Sequence, residues 1–176
     1  MSSTIMDIIK GRRSIRRFKR GEKIPEEDLK KILEAAIHAP SAGNRQPWEF
    51  IIVENEDTKI RLAEAAYYQT WMTEAPTIIV VCANEERSAS RYGERGRTLY
   101  CIQDTAAAIQ NMLLMAHSLG YGTCWVGAFN ENEVRRILNI PIGVRPVAMI
   151  PIGKPDEKPT MPPRIPLQRL VHYEKY

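Results

Sequence analysis

The chain has few cysteines, no long apolar run and no large excess of either charge, and each shortage removes a class of protein. Cys82, Cys101 and Cys124 are odd in number, far apart and without a CxxC pair. That excludes a disulfide framework and a zinc site and leaves buried, reduced thiols. The longest apolar runs, such as TIIVVCA, are too short to span a bilayer. The opening MSSTIMDIIKG lacks the apolar core and cleavage site of a signal peptide, so the chain reads as cytoplasmic, with no membrane partner. A net charge of +4 on 176 residues is too small for a protein coated to grip a polyanion. Aromatics make up 7% of the chain, Phe18 alone interrupts the basic run, and no RNA- or DNA-binding motif occurs, so no nucleic-acid partner is expected. His38, His117 and His172 stand apart, and none pairs with a Cys or Ser as a nucleophilic triad would, so no catalytic residue is assigned. Asp104 and His117, on a long helix, read as structural.

What the chain does have is local charge. Eight of its 25 Lys and Arg lie between Lys10 and Lys23, accompanied by one acid, Glu22. In KGRRSIRRFK, residues 10–19, four arginines surround Ser14. A solvated charge run, a nucleic-acid patch and a cradle for a small anion all explain such a run; the near-neutral remainder favours one basic site. Arginine binds phosphate oxygens in a bidentate fork, and a serine hydroxyl adds a neutral hydrogen bond.

The length fits one domain able to bury a sizeable core. PEEDLKKILEAAIHAP has Pro25 and acids at a helix start, with Leu29, Ile32, Leu33, Ala36 and Ile37 at helical spacing. WEFIIVEN reads as a strand and DTKIRLAEAAYY as the helix after it. PTIIVVCA is a strand covered on both faces. A helix from about Thr98 to Leu119, stopped by Gly120 and Gly122, precedes a strand over TCWVGAF. Asn130 with Glu133 caps ENEVRRIL, and RPVAMIPIG is the last strand. The fold class is α+β, a small sheet under helices. After Gly153 five of the twelve prolines occur together, yet Ile165, Leu167, Leu170, Val171 and Tyr173 supply apolar anchors, so this tail is expected to wrap over something. APSAGNRQPWEF is a Pro-bounded loop rich in hydrogen-bonding side chains. In GYGTCWVGAF, glycines on both sides of a strand allow close approach of a flat ligand.

Taken together, RRSIRRF, APSAGNRQPWEF, EAPTIIVVCA, DTAAAIQNMLLMAHSLGYGTCWVG and PPRIPL resemble, in order and spacing, the FMN-dependent nitroreductase family, over about Ile8 to Val171. The resemblance implies a mixed four- to five-stranded sheet flanked by helices. It also implies a single domain, 1–176, whose arm 154–176 crosses to the partner of an intertwined homodimer. Arg12, Arg13 and Ser14 would hold the FMN phosphate and ribityl chain, Arg16 would lie toward the flavin N1 and O2 edge, and Arg164 would return to the phosphate. Pro40, Ser41 and Asn44 would come from the partner subunit against the ring. Backbone groups of Trp125, Val126, Gly127 and Ala128 would meet the N5 and O4 edge, and Gln69 the pyrimidine. Pro162 stands where some members carry a lysine, so the phosphate cradle is a variant one. The implied activity is ping-pong hydride transfer from NAD(P)H through flavin N5 to a small electron-poor acceptor such as a nitroaromatic or quinone. Reductive dehalogenation, flavin cleavage or non-enzymatic polyanion binding remain as alternatives.

Overall fold

The computed structural model describes residues 4–176. Helix α1, Ile5–Gly11, starts at a capping box in which Thr4 and Asp7 satisfy each other's backbone N–H groups. Helix α2, Glu26–Ile37, follows Pro25, with Glu26, Glu27 and Asp28 at its positive end. Strand β1, Trp48–Val53, leads to α3, Glu56–Ala65, capped by Asn55. Strand β2, Thr77–Asn84, runs straight into α4, Glu85–Arg95, which the Asn84 side chain caps. A π-helical turn, Gly96–Tyr100, joins α4 to α5, Cys101–Ser118. Gly120, at φ +80°, turns the chain into β3, Gly122–Thr123. Helix α6, Glu131–Leu138, begins with the Asn130 side chain accepting from the Glu133 N–H, as the sequence predicts, and ends at left-handed Asn139. Strand β4 is Val144–Gly153. Among the described residues no helix is long and apolar enough to cross a membrane.

The sheet order is β1-β2-β4-β3, each neighbouring pair antiparallel, with Trp48 opposite Ala83 and Thr77 opposite Ile152. Strand β2 is buried along nearly its whole length, because a hydrophobic layer lies on each face. Ile79 and Val81 pack with Ile32, Ile109 and Met112 from α2 and α5. Ile78 and Val80 pack with Leu62 and Val134 from α3 and α6.

Three expectations are revised. The sheet is mixed only through a single parallel bridge, Ser14 to Thr123, by which the basic N-terminal segment adds itself to the edge of four antiparallel strands. The strand over TCWVGAF shrinks to Gly122–Thr123 and a lone bridge from Val126 to Met149. Cys124 reaches Pro151 by a long N–H···O contact of 3.4 Å, and Pro151 has no N–H to return, so the ladder lapses there. Helix α4 was not anticipated, since EERSASRYGER is polar and contains a glycine.

The tail leaves β4 through a bridge from Phe18 to Pro155 and a hydrogen bond from Asp156 N–H to the Arg17 carbonyl. Beyond residue 160 the tail is exposed, including its apolar anchors: Leu167 is 70% and Tyr173 86% accessible in the single chain.

Candidate functional site

The basic segment is held on the sheet edge by its backbone, which frees its side chains. Ile15 N–H donates to the Thr123 carbonyl at 2.9 Å, Lys19 N–H to the Lys154 carbonyl at 2.9 Å, and the Arg16 and Arg17 N–H groups to the Glu157 carboxylate. Gly122 is required under this strap, because a Cβ there would lie 2.7 Å from Ile15 Cγ1. Arg12 closes α1, and Arg13 folds back to donate to the carbonyls of Lys10 and Arg12 at 2.6 and 2.7 Å. Such capping satisfies carbonyls that the helix end leaves open.

Among the described residues, no carboxylate pairs with Arg12, Arg13 or Arg164, whereas Arg17 meets Asp156 at 3.8 Å and Arg20 meets Glu74 at 3.6 Å. Burial lowers the pKa of half-buried Arg12, and the charges of Arg13 and Arg164 lower it further. Burial also raises the pKa of the Cys124 thiol, opposed by Arg16, Ser14 and Arg12. His117 packs so close to Gly11 that a Cβ there would lie 2.7 Å from Nε2. Its pKa is lowered by burial, then by Arg12 and Arg13.

Beside this cluster, Trp125, Gly127 and Ala128 are exposed while Val126 is buried, so a short stretch of backbone with small side chains faces outward. Gln69 donates from Nε2 to the Ala128 carbonyl at 3.3 Å, and the Arg16 guanidinium lies 5.8 Å from the Trp71 ring centre. Arg12, Arg13, Ser14 and Arg16 thus lie on the strap along Thr123, and Trp125, Val126, Gly127 and Ala128 follow Thr123 closely in the chain. Gln69 is bonded to Ala128, and the charge of exposed Arg164 is felt at Arg12.

Pro40, Ser41 and Asn44 are not part of that group. Their loop lies at the other end of α5, where Ala42 N–H donates to Asp104 Oδ1 at 3.1 Å. From Asp104 to His117 the helix rises about 20 Å at 1.5 Å per residue. The loop is tightly determined. Ser41 Oγ accepts from Gln46 N–H at 3.0 Å, and Arg45 donates to the Arg87 carbonyl and Ser90 Oγ. Gly43, Asn44 and Gln46 all have φ near +50°. Strain held this firmly is typical of functional loops.

Two features go beyond the sequence reading. Asp104, read there as structural, is buried with its Oδ2 lacking a partner among the described residues, and burial raises its pKa against the opposing bond from Ala42. A lone acid in the apolar run CIQDTAAAI was the available signal. Tyr67 and Tyr68, just before Gln69, are exposed and both have positive φ, for which the sequence offers no cue.

Comparison with known proteins identifies the family. The profile of the nitroreductase family matches residues 9–69 and 64–154. A Methanothermobacter thermautotrophicus protein with the provisional name NADH dehydrogenase/NAD(P)H nitroreductase is 36% identical over 176 residues, 98% of this chain and 87% of its own. The NADH dehydrogenase of Thermus thermophilus is 31% identical, over 91% of each chain. Among solved structures, the NADPH:FMN oxidoreductase of Vibrio harveyi, complexed with NAD+, superposes with a TM-score of 0.90 at 27% identity, over 98% of this chain and 77% of that one. With its motifs in order, its sheet flanked by helices and these matches over nearly its full length, the chain belongs to the nitroreductase family.

Proposed function

We propose that this chain is an FMN-dependent NAD(P)H oxidoreductase, a single domain working as a cytoplasmic homodimer on small electron-poor acceptors such as nitroaromatics or quinones. The observation that carries the reading is that half-buried Arg12 lies beside Arg13 and that neither has an ion pair among the described residues. Such a cluster is electrostatically incomplete and suits a phosphate dianion, so the residues present fit FMN. Relatives named FMN reductase [NAD(P)H], from Bacillus subtilis, and NADPH:FMN oxidoreductase, from Vibrio harveyi, support the same cofactor and donor.

In this reading Arg12, Arg13, Ser14 and Arg164 hold the phosphate and ribityl chain. Arg16 adds positive charge beside the ring, where it favours an anionic reduced cofactor. The small, outward-facing residues Gly127 and Ala128 let a flat ring approach the backbone beside Trp125 and Val126, and Gln69 supplies an amide whose direction Ala128 fixes. FMN, when bound, supplies reversible two-electron chemistry between the dinucleotide and the acceptor, which occupy the same place in turn. These residues bind, orient and tune, and none is assigned a proton transfer.

The loop of Pro40, Ser41 and Asn44 joins this site from a second chain. Support comes from its separation of about 20 Å along α5 and from the exposed apolar arm 154–176, which fits a segment crossing onto a partner. Interfaces of that kind commonly bury more than about 2,000 Å².

Purified protein titrated with FMN tests the reading. The expected result is a yellow dimer with one FMN per chain that bleaches with one equivalent of NAD(P)H and turns over only when an acceptor is supplied. A colourless chain that leaves FMN fluorescence unchanged would overturn it and return the basic segment to a polyanion site.

A further inference from the structure

Next to the strained loop lies a group of side chains that the flavin reading leaves unused. The break at Gly93, φ +52° and ψ −137°, interrupts α4 and is followed by the π-helical turn. Tyr92 and Tyr100 meet edge to face with ring centres 5.2 Å apart. The Arg91 guanidinium lies 5.6 Å from the Tyr92 ring centre, and that of Arg95 lies 5.3 Å from the Tyr100 ring centre. Arg95 Nε also donates to the Tyr100 hydroxyl at 2.9 Å. Four side chains thus form a row, Arg91–Tyr92–Tyr100–Arg95, with both guanidiniums exposed.

Carboxylates are plentiful in this segment, yet none pairs with either arginine among the described residues. Glu86 and Glu94 both go to Arg97, and Glu49 goes to Arg87. An exposed arginine with acids available ordinarily pairs or waves in solvent; these two are fixed over rings, at a cost in side-chain entropy. The row abuts the strained loop: a Cβ on Gly43 would lie 2.5 Å from the Tyr92 hydroxyl and 3.2 Å from Arg91 Nε.

We propose that this row binds a phosphate group of the reduced dinucleotide. The assignment rests on the flavin reading, in which the loop carrying Gly43 borders the ring. A nicotinamide stacked there must lead its charged half outward over neighbouring surface, and the Arg91–Arg95 row offers two oriented guanidinium forks on that surface. Fork geometry matches phosphate oxygens bidentately, as a lysine cannot.

The test uses the FMN-loaded dimer. The double variant Arg91→Ala/Arg95→Ala should keep its FMN and its kcat while raising the KM for dinucleotide about tenfold or more, and NADP+ or NAD+ titrated directly should lose affinity in parallel. Loss with NADPH and NADP+ alone identifies the 2′-phosphate as the ligand; loss with both dinucleotides identifies the pyrophosphate. Arg91→Lys/Arg95→Lys, which keeps the charge but not the fork, should recover only part, and Arg61→Ala, on exposed α3 surface, should change neither. A yellow double variant with unchanged KM and unchanged dinucleotide affinity overturns this assignment alone, whereas a chain that takes up no FMN overturns the reading beneath it.

Discussion

At the C-terminal end of α5, Arg12 and Arg13 follow Gly11, which packs on His117, and neither has an ion pair among the described residues. At its N-terminal end Asp104 pins the Ala42 N–H, Arg87 pairs with Glu49, and the loop backbone is held at left-handed φ values by side-chain bonds. One end gathers arginines on a strap fastened through its backbone; the other holds a loop at left-handed φ values through Asp104, Ser41 and Arg45. The difference shows two kinds of preorganisation, one for an anion and one for shape. In a single chain they lie too far apart to serve one small ligand together.

The sharpest way to break that comparison is complementation between chains. Arg12→Ala lacks one half-site, and Ser41→Ala/Asn44→Gly lacks the other. If each site takes one end from each chain, refolding an equal mixture of the two deficient proteins should restore about a quarter of the wild-type sites, because one site of every mixed dimer has both halves intact. No recovery, measured as FMN-supported NAD(P)H oxidation, would mean that both ends act within their own chain.

A smaller effect separates charge from placement. Arg12→Ala should weaken FMN binding by about 1.5–3 kcal/mol, roughly ten- to a hundredfold. Arg20→Ala removes the same charge from the same run, but that side chain is 80% exposed and already paired with Glu74, so its loss should cost about twofold at most. Equal losses, both erased by salt, would mean that only the summed field matters.

The smallest effect is on His117. Its folded pKa is depressed below the ordinary 6.5, so its contribution to stability is present above that value and is lost as pH falls, when the unfolded chain binds the proton more readily. A phosphate dianion beside Arg12 and Arg13 cancels part of the depression. FMN should therefore move the imidazole titration upward, with proton uptake on binding, as followed by NMR. A titration indifferent to FMN would place the anion elsewhere.

Much of this was legible in the sequence. The apolar spacing of α2, the continuous run of β2 and the Asn130 cap are local signals, and each formed as local rules dictate. The effect of Arg164 on Arg12 was legible only through family resemblance, since no periodicity links residues so far apart. Helix α4 was hidden because its stability does not come from an apolar stripe: Ser88 is its one buried side chain, and Gly93 breaks it. The end of β3 depended on Pro151 lying opposite Cys124, a cross-strand fact that neither segment carries alone. Asp104 looked structural, and it does act structurally; what the sequence concealed was which loop it holds.

The strap from Arg12 to Phe18 is fastened by Thr123, Lys154, Pro155 and Glu157, which lie more than a hundred residues downstream. During synthesis at about 5–20 residues per second, roughly 7–30 s pass between emergence of the arginines and emergence of their last anchors. Through that interval the most basic part of the chain has no sheet edge to join. The pocket that this segment builds is thus completed late, only once the stretch up to Glu157 is available to fasten it.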